Sequence, residues 1–319
     1  MWLRRILRPA KVQPTQALDR RTARQRRFRL SDRAIRQLER LRLTASRDLR
    51  GQRAGQRASR RTQSSADFVQ HRTYVPGDDV RYVDWKASAR QEHIFVKQGE
   101  LPKDAAVHLL LDCSASMAWG EPPKRLGQIA LAAALGYMAL AGGDRLWIYP
   151  FGSGANNSLG PISGKSRIPE LLNYLRSLNF GSVADMGNAL SSFKAQRPNG
   201  GLTFVLSDLL AIKDLGDFLS LFPPPAWDMV VLHMLHSQEL RPEALGDVRM
   251  VDSETSAIGN FNVDAKALEA YSTRLDSWMD KVSLQCVQSK AFYTLVEADS
   301  SLEDDILPHL RTRGLVQSA

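Results

Sequence analysis

Cysteine is almost absent: Cys113 and Cys286 are the only two in 319 residues, so the fold is not held by a disulfide framework. No hydrophobic run reaches bilayer length either. The longest mostly apolar stretch, Ile129 to Ala141, falls short of the roughly 20 residues a spanning helix needs. Its Ala/Gly-rich composition suits a helix packed on a sheet. No apolar signal-peptide core follows the first basic residues, and these absences lead to the expectation of a cytoplasmic protein. No G-x-G-x-x-G follows a strand pattern, so dinucleotide binding has no support. The nearest phosphate-loop candidate, Gly160 to Ser166, has three residues between its glycines instead of four, with Leu159 where the first glycine belongs. It reads as a turn before a helix.

Acidic residues are scarce at one end only. Residues 1–63 hold 20 Lys/Arg against four Asp/Glu, a net +16, while the remaining 256 residues hold 23 against 30, a net −7. A polycation is joined to a mildly acidic globule. Dense positive charge attracts nucleic acid, anionic lipid or an acidic protein face without sequence-specific contacts. Residues 47–61 carry no Phe, Tyr or Trp on which bases could stack, which disfavours sequence-specific nucleic-acid recognition. Pairing of these arginines with carboxylates of the globule is an equally good reading. Trp2, Leu3, Ile6 and Leu7 share one helical face opposite Arg4, Arg5 and Arg8, the pattern of a membrane-surface helix, but Pro9 cuts it short and terminal disorder is the stronger expectation. Ser31 is placed to cap a helix whose Ala34, Ile35, Leu38 and Leu41 recur at helical spacing.

From Ala105 onward, apolar runs of strand length alternate with amphipathic stretches of helix length. This is the signature of an α/β fold, a doubly wound and mostly parallel sheet wrapped by helices. Strands are expected at 106–111, 145–151, 202–206, 229–235 and 292–296. Helices are expected at 125–141, 168–178, 186–195, 214–221 and 265–282. Three parts follow: a basic tail at 1–29 expected to be disordered, a helix and strand module at 30–104, and the α/β domain at 105–319.

Ligand sites in such sheets lie beyond the carboxyl ends of the strands. Directly after the first strand comes Asp112-Cys113-Ser114-Ala115-Ser116, which places a carboxylate and two hydroxyls at alternate positions. An extended turn of period two can aim all three at one point, and oxygen ligands suit hard cations such as Mg²⁺. Ser207-Asp208 adds a second carboxylate after another strand. The bland alternative is a turn in which Asp112 and Ser114 cap the next helix. His233 and His236, with two residues between them in a strand pattern, face opposite sides, which argues against joint metal binding.

Upstream, Arg72-Thr73-Tyr74-Val75-Pro76-Gly77-Asp78-Asp79-Val80-Arg81-Tyr82-Val83-Asp84-Trp85, continued by Ala87-Ser88-Ala89-Arg90, interleaves arginines, carboxylates and aromatic rings. Guanidiniums pair with carboxylates and stack on rings, so Arg72, Tyr74, Asp78, Asp79, Arg81, Asp84, Trp85 and Arg90 read as a self-satisfied structural network, with partner docking compatible. With this string and the D-x-S-x-S and S-D elements, residues 47–315 resemble the bacterial von Willebrand factor A-like proteins associated with MoxR-type ATPases, a family catalogued as a domain of unknown function. The resemblance implies a metal-ion-dependent adhesion site in which Asp112, Ser114, Ser116 and Asp208 would hold Mg²⁺ or another divalent cation. It also implies a non-enzymatic adaptor acting with a MoxR-type AAA+ ATPase on an acidic protein client. One departure stands out: the second loop of such a site places a Thr before Asp, whereas here Gly181-Ser182-Val183-Ala184-Asp185 has Ala184 in that place. Ser182 or a water would have to substitute. A metal-dependent phosphoester hydrolase with Asp112 as nucleophile is the alternative, but local spacing places no Lys or His as its acid or base. A basic scaffold at a membrane inner surface or on nucleic acid is the third reading.

Overall fold

The computed structural model describes residues 5–9, 30–43, 68–73, 88, 95–99, 105–152, 157–181, 200–210, 212, 214–242, 246–252 and 258–318. In chain order the elements begin with β1 (Arg5–Pro9), α1 (Asp32–Leu38), β2 (Leu41–Leu43), β3 (Phe68–Thr73), β4 (Phe95–Gly99) and β5 (Ala106–Asp112). Next come α2 (Lys124–Gly142), β6 (Arg145–Phe151), β7 (Leu159–Ser163), α3 (Ile168–Ser177), β8 (Gly201–Ser207) and α4 (Leu215–Ser220). The chain continues through β9 (Trp227–Leu235), α5 (Ser237–Leu240), β10 (Gly246–Asp252), β11 (Ile258–Val263), α6 (Ala265–Gln288), β12 (Phe292–Glu297), α7 (Leu307–Thr312) and β13 (Val316–Ser318).

The central sheet has six strands in the order β12-β9-β8-β5-β6-β7, all parallel except β7. Counted in chain order from the other edge this is 3-2-1-4-5-6, so the strand order reverses between β5 and β8. Both are buried on two faces, as continuous apolar sequence in a central parallel strand predicts. Alternate residues of β5 feed opposite cores. Leu109 and Leu111 pack with α1, α2, α3 and α7 on one face, and Leu110 packs with α4 and α6 on the other.

Helix α2 is the centre of the first face. Its residues 131–140 are all buried, and Gly143 closes it in the left-handed conformation (φ 86°), where glycine alone bears no Cβ penalty. Gly127 lets the helix touch the chain after β12: a Cβ there would stand 1.8 Å from the Ala298 carbonyl oxygen. At 19 residues, α2 is longer than the apolar run suggests and is apolar enough by composition to cross a membrane, but most of it is buried inside the domain.

Several expectations change here. Residues 30–43 belong to the α/β core and not to a separate module. Ser31 Oγ accepts from Ala34 N (2.9 Å) and donates to Glu303 (2.6 Å), Leu38 is wholly buried, and β2 pairs with β13. Leu41 therefore begins a strand instead of extending the helix. Arg5–Pro9 form a strand paired with β10, not the membrane-surface helix or disordered tail expected of this segment. Pro161 lies inside edge strand β7, so the phosphate-loop lookalike is a strand followed by a short 3₁₀ turn. The helix expected at 186–195 lies outside the described residues.

Candidate functional site

The two central strands β5 and β8 end side by side, and their last residues set the site. Asp112 closes β5, Ser207 closes β8 and Asp208 follows it. Ser207 Oγ donates to Asp112 Oδ2 at 2.5 Å and accepts from Leu209 N at 2.8 Å, joining one strand end to the next turn. Asp112 Oδ1 accepts from Ser114 N at 2.9 Å. Ser114 occupies the cap position of the 3₁₀ turn Ala115–Ala118, yet its hydroxyl makes no capping bond and lies 3.0 Å from Ser116 Oγ. Ser116 in turn lies close enough to the Asp208 carboxylate to help stabilise its charge. Asp112, Ser114 and Ser116 thus form one connected set with Asp208 beside it, and simple helix capping does not account for the grouping.

All four are buried, and their carboxylates carry opposite perturbations. Burial first, and then repulsion from Asp208, push Asp112 up to about 6 against the opposing hydrogen bonds from Ser114 and Ser207. Burial would push Asp208 up as well, but the Lys124 ammonium, the bonds from Lys124 and Leu210 N and the nearby Ser116 hydroxyl outweigh it and hold that carboxyl below its usual range. Lys124 opens α2 and is fully enclosed. Its Nζ donates to Asp208 Oδ2 and to Glu239 Oε1, each at 2.8 Å. Burial opposes its charge, but the two carboxylates prevail and raise its pKa. Four residues along the same face, Gln128 Nε2 donates to the carbonyls of Asp112 and Leu206, both at 2.9 Å, tying the two strand ends together. Its buried Oε1 has no hydrogen-bond partner among the described residues.

The network extends along the sheet edge. Glu239 Oε2 accepts from His236 N in a capping box at the start of α5, and His236 Nε2 lies 3.7 Å from Asp299 Oδ2 beyond β12. Asp299 also accepts from Ser237 N and Oγ. His233, in contrast, is a core residue bonded to Tyr293 OH at 2.9 Å, with burial lowering its pKa to about 4. The two histidines do not converge, as their spacing predicts.

Gly152 and Gly181 border the site. A Cβ on Gly152 would meet Ser114 N at 3.0 Å and Asp112 Oδ1 at 3.1 Å, and Gly181 N donates to Cys113 O at 3.1 Å. Residues 182–199, with Ser182 and Ala184, lie outside the described residues, as do Tyr74, Asp78, Asp79, Arg81, Asp84, Trp85 and Arg90. Arg72 is placed by its backbone in β3, opposite Val96 of β4.

Four contributors escaped the sequence reading: Lys124, Gln128, Ser207 as a bridging hydroxyl, and Glu239. A signal existed for the first two. Lys124 and Gln128 stand four apart on a helix whose following residues are almost wholly apolar, so two polar side chains share a face that should be buried. Glu239 follows β9 as Asp208 follows β8, but a capping-box role alone would have explained it.

Hydroxyls and carboxylates gathered where the strand order reverses define a class, an open α/β sheet with a polar site at its switch point. Residues 70–277 match the family model described as "Protein of unknown function DUF58", and the chain belongs to that family. Similar proteins include the uncharacterized proteins Rv1480 of Mycobacterium tuberculosis and Mb1516 of Mycobacterium bovis, each 26% identical over 202 residues. Each match covers 60% of this chain and 62% of the relative, so the chain spans less than two thirds of either relative's length.

Proposed function

We propose that the chain is a non-enzymatic protein-binding adaptor with a von Willebrand factor A-like domain, in which Asp112, Ser114, Ser116 and Asp208 hold a divalent cation such as Mg²⁺. Its proposed co-worker is a MoxR-type AAA+ ATPase, its client presents acidic side chains, and it works in the cytoplasm, with the basic charge of the amino-terminal segment suited to a membrane surface. One observation carries the reading: Asp112, Ser114 and Ser116 are linked by hydrogen bonds, and Asp208 stands beside them at the next strand end, at the reversal point of a 3-2-1-4-5-6 sheet with one antiparallel edge.

The donor chemistry fits a hard cation. The Lys124 ammonium pairs with Asp208 and Glu239, and Asp112 stands beside Asp208, so full ionisation sets three carboxylates against one ammonium in a buried place. Among the described residues no group of three His, Cys, Asp or Glu is arranged to hold a metal, and the proposed ligand set is instead two carboxylates and two hydroxyls. A bound cation would supply a Lewis-acidic contact for a carboxylate of the client. The chain's own residues orient that contact: Ser207 and Ser114 N fix the Asp112 carboxylate, and Gln128 holds the two strand ends in register.

Lys124 lends weight to the hydrolase alternative, because it places next to Asp208 the cation that local spacing did not reveal. Its engagement with two carboxylates and its full enclosure favour binding over proton transfer to a substrate. Calorimetric titration with Mn²⁺ should give heat that disappears in Asp112→Ala, and the ATPase should be retained on wild type more strongly than on that variant. A flat wild-type titration defeats the cation site. Phosphatase or ATPase turnover by the purified chain that is lost in Asp112→Asn would replace the adaptor with the hydrolase.

A further inference from the structure

Lys124 is a costly residue to put where it is. An ammonium in the first turn of a helix works against the helix dipole, and full burial strips it of water. A helix starting at this place needs neither. What holds the side chain there is a pair of carboxylates from two different strand ends, Asp208 after β8 and Glu239 after β9. Only one of the two belongs to the proposed ligand set. Glu239 lies outside it and is itself fixed by the His236 backbone N–H at 2.8 Å.

The backbone under Lys124 has little freedom to retreat. Lys124 N donates to Trp119 O at 2.9 Å, and Gly127 one turn on is pressed against Ala298. Any change in what the ammonium touches must come from its flexible side chain, which already contacts both acceptors.

We infer that Lys124 is a tethered occupant of the cation site: its ammonium holds Asp208 when no divalent ion is present and passes wholly to Glu239 when one binds. This deepens the cation-site reading above and depends on it. The exchange sets affinity, because a divalent ion must displace an internal competitor. It also reports occupancy along the sheet edge, since Glu239 is joined through His236 N to α5, and Ser237 is joined to Asp299 beyond β12. A partner surface at the ends of β9 and β12 would then differ between the two states.

The test compares Mn²⁺ binding by calorimetry in the wild-type chain, in Lys124→Met/Glu239→Gln and in Glu239→Gln. The double variant removes the ammonium together with one carboxylate, so it changes no net charge in the buried network. Its Mn²⁺ affinity should exceed that of wild type at least tenfold. Glu239→Gln takes away the alternative acceptor, pins the ammonium on Asp208 and should weaken Mn²⁺ binding severalfold. Equal affinity in wild type and double variant, or tighter binding in Glu239→Gln, overturns the tethered-occupant role while leaving the cation site standing. No binding in any folded protein defeats the cation site and the inference with it. Should the double variant be unfolded in metal-free buffer, refolding on Mn²⁺ addition supports the exchange, and failure to refold counts against it.

Discussion

Replacing Asp112 by Asn should stabilise the metal-free protein at alkaline pH, although it removes a fully buried, doubly hydrogen-bonded side chain. The carboxyl is raised from 3.8 to about 6, so ionising it costs the folded state more than the unfolded chain. The stability it allows is fully present below about pH 4 and is lost as pH rises through about 6. At about 1.36 kcal/mol per pH unit, a rise of this size corresponds to about 3 kcal/mol at pH 8. Asn keeps an acceptor for Ser114 N but meets Ser207 Oγ with an amide, which costs about 1 kcal/mol. A net gain of about 2 kcal/mol remains, or about 4–8 °C in Tm for a domain of this size. Thermal melts in EDTA at pH 8 and pH 4 measure it: the variant should melt higher at pH 8 and no higher at pH 4. Saturating Mn²⁺ at pH 8 should reverse the order, because only the carboxylate ligates the ion. A variant that is destabilised equally at both pH values in EDTA would show that Asp112 ionises freely, and the electrostatic account of the site would fail.

Other outcomes follow from the packing. Gly127→Ala should destabilise by 2 kcal/mol or more, because the new methyl would stand 1.8 Å from a backbone oxygen, whereas Gly142→Ala in the same helix meets nothing closer than 3.5 Å and should be neutral to slightly stabilising by about 0.5 kcal/mol. Paired chemical denaturation of the two variants checks the contrast. Gln128→Leu leaves the Asp112 and Leu206 carbonyls without their shared donor and should cost about 2 kcal/mol, read from the same denaturation curves. Leu38→Ala should lower global stability by about 3 kcal/mol in one cooperative transition, since Leu38 lies in the same core as α2. A separate early transition would instead mark residues 30–43 as an independent unit.

The sheet was legible because burial on both faces leaves strands as unbroken apolar runs. The five strands expected at 106–111, 145–151, 202–206, 229–235 and 292–296 all appear, within two residues at each end. The sixth, β7, was missed because a short edge strand containing Gly160 and Pro161 carries the composition of a turn. Terminal segments misled for a different reason. Helical spacing at Leu41 and at Ile6 and Leu7 is equally compatible with short strands, and pairing with β13 and β10 decides between them over long sequence separations. At the site, Asp112, Ser114, Ser116 and Asp208 were visible since strand ends are marked by the sequence itself. Lys124 and Glu239 were not, because their meeting depends on which strand lies beside which, and the crossing order of the sheet is not written in local spacing.

The most direct test is a crystal of the wild-type chain soaked in Mn²⁺ and measured at an energy where manganese scatters anomalously. The prediction is a single strong peak bounded by Asp112, Ser114, Ser116 and Asp208, with Lys124 Nζ on Glu239 alone. An anomalous map flat at that place, with the ammonium still on Asp208 at saturating Mn²⁺, would contradict it.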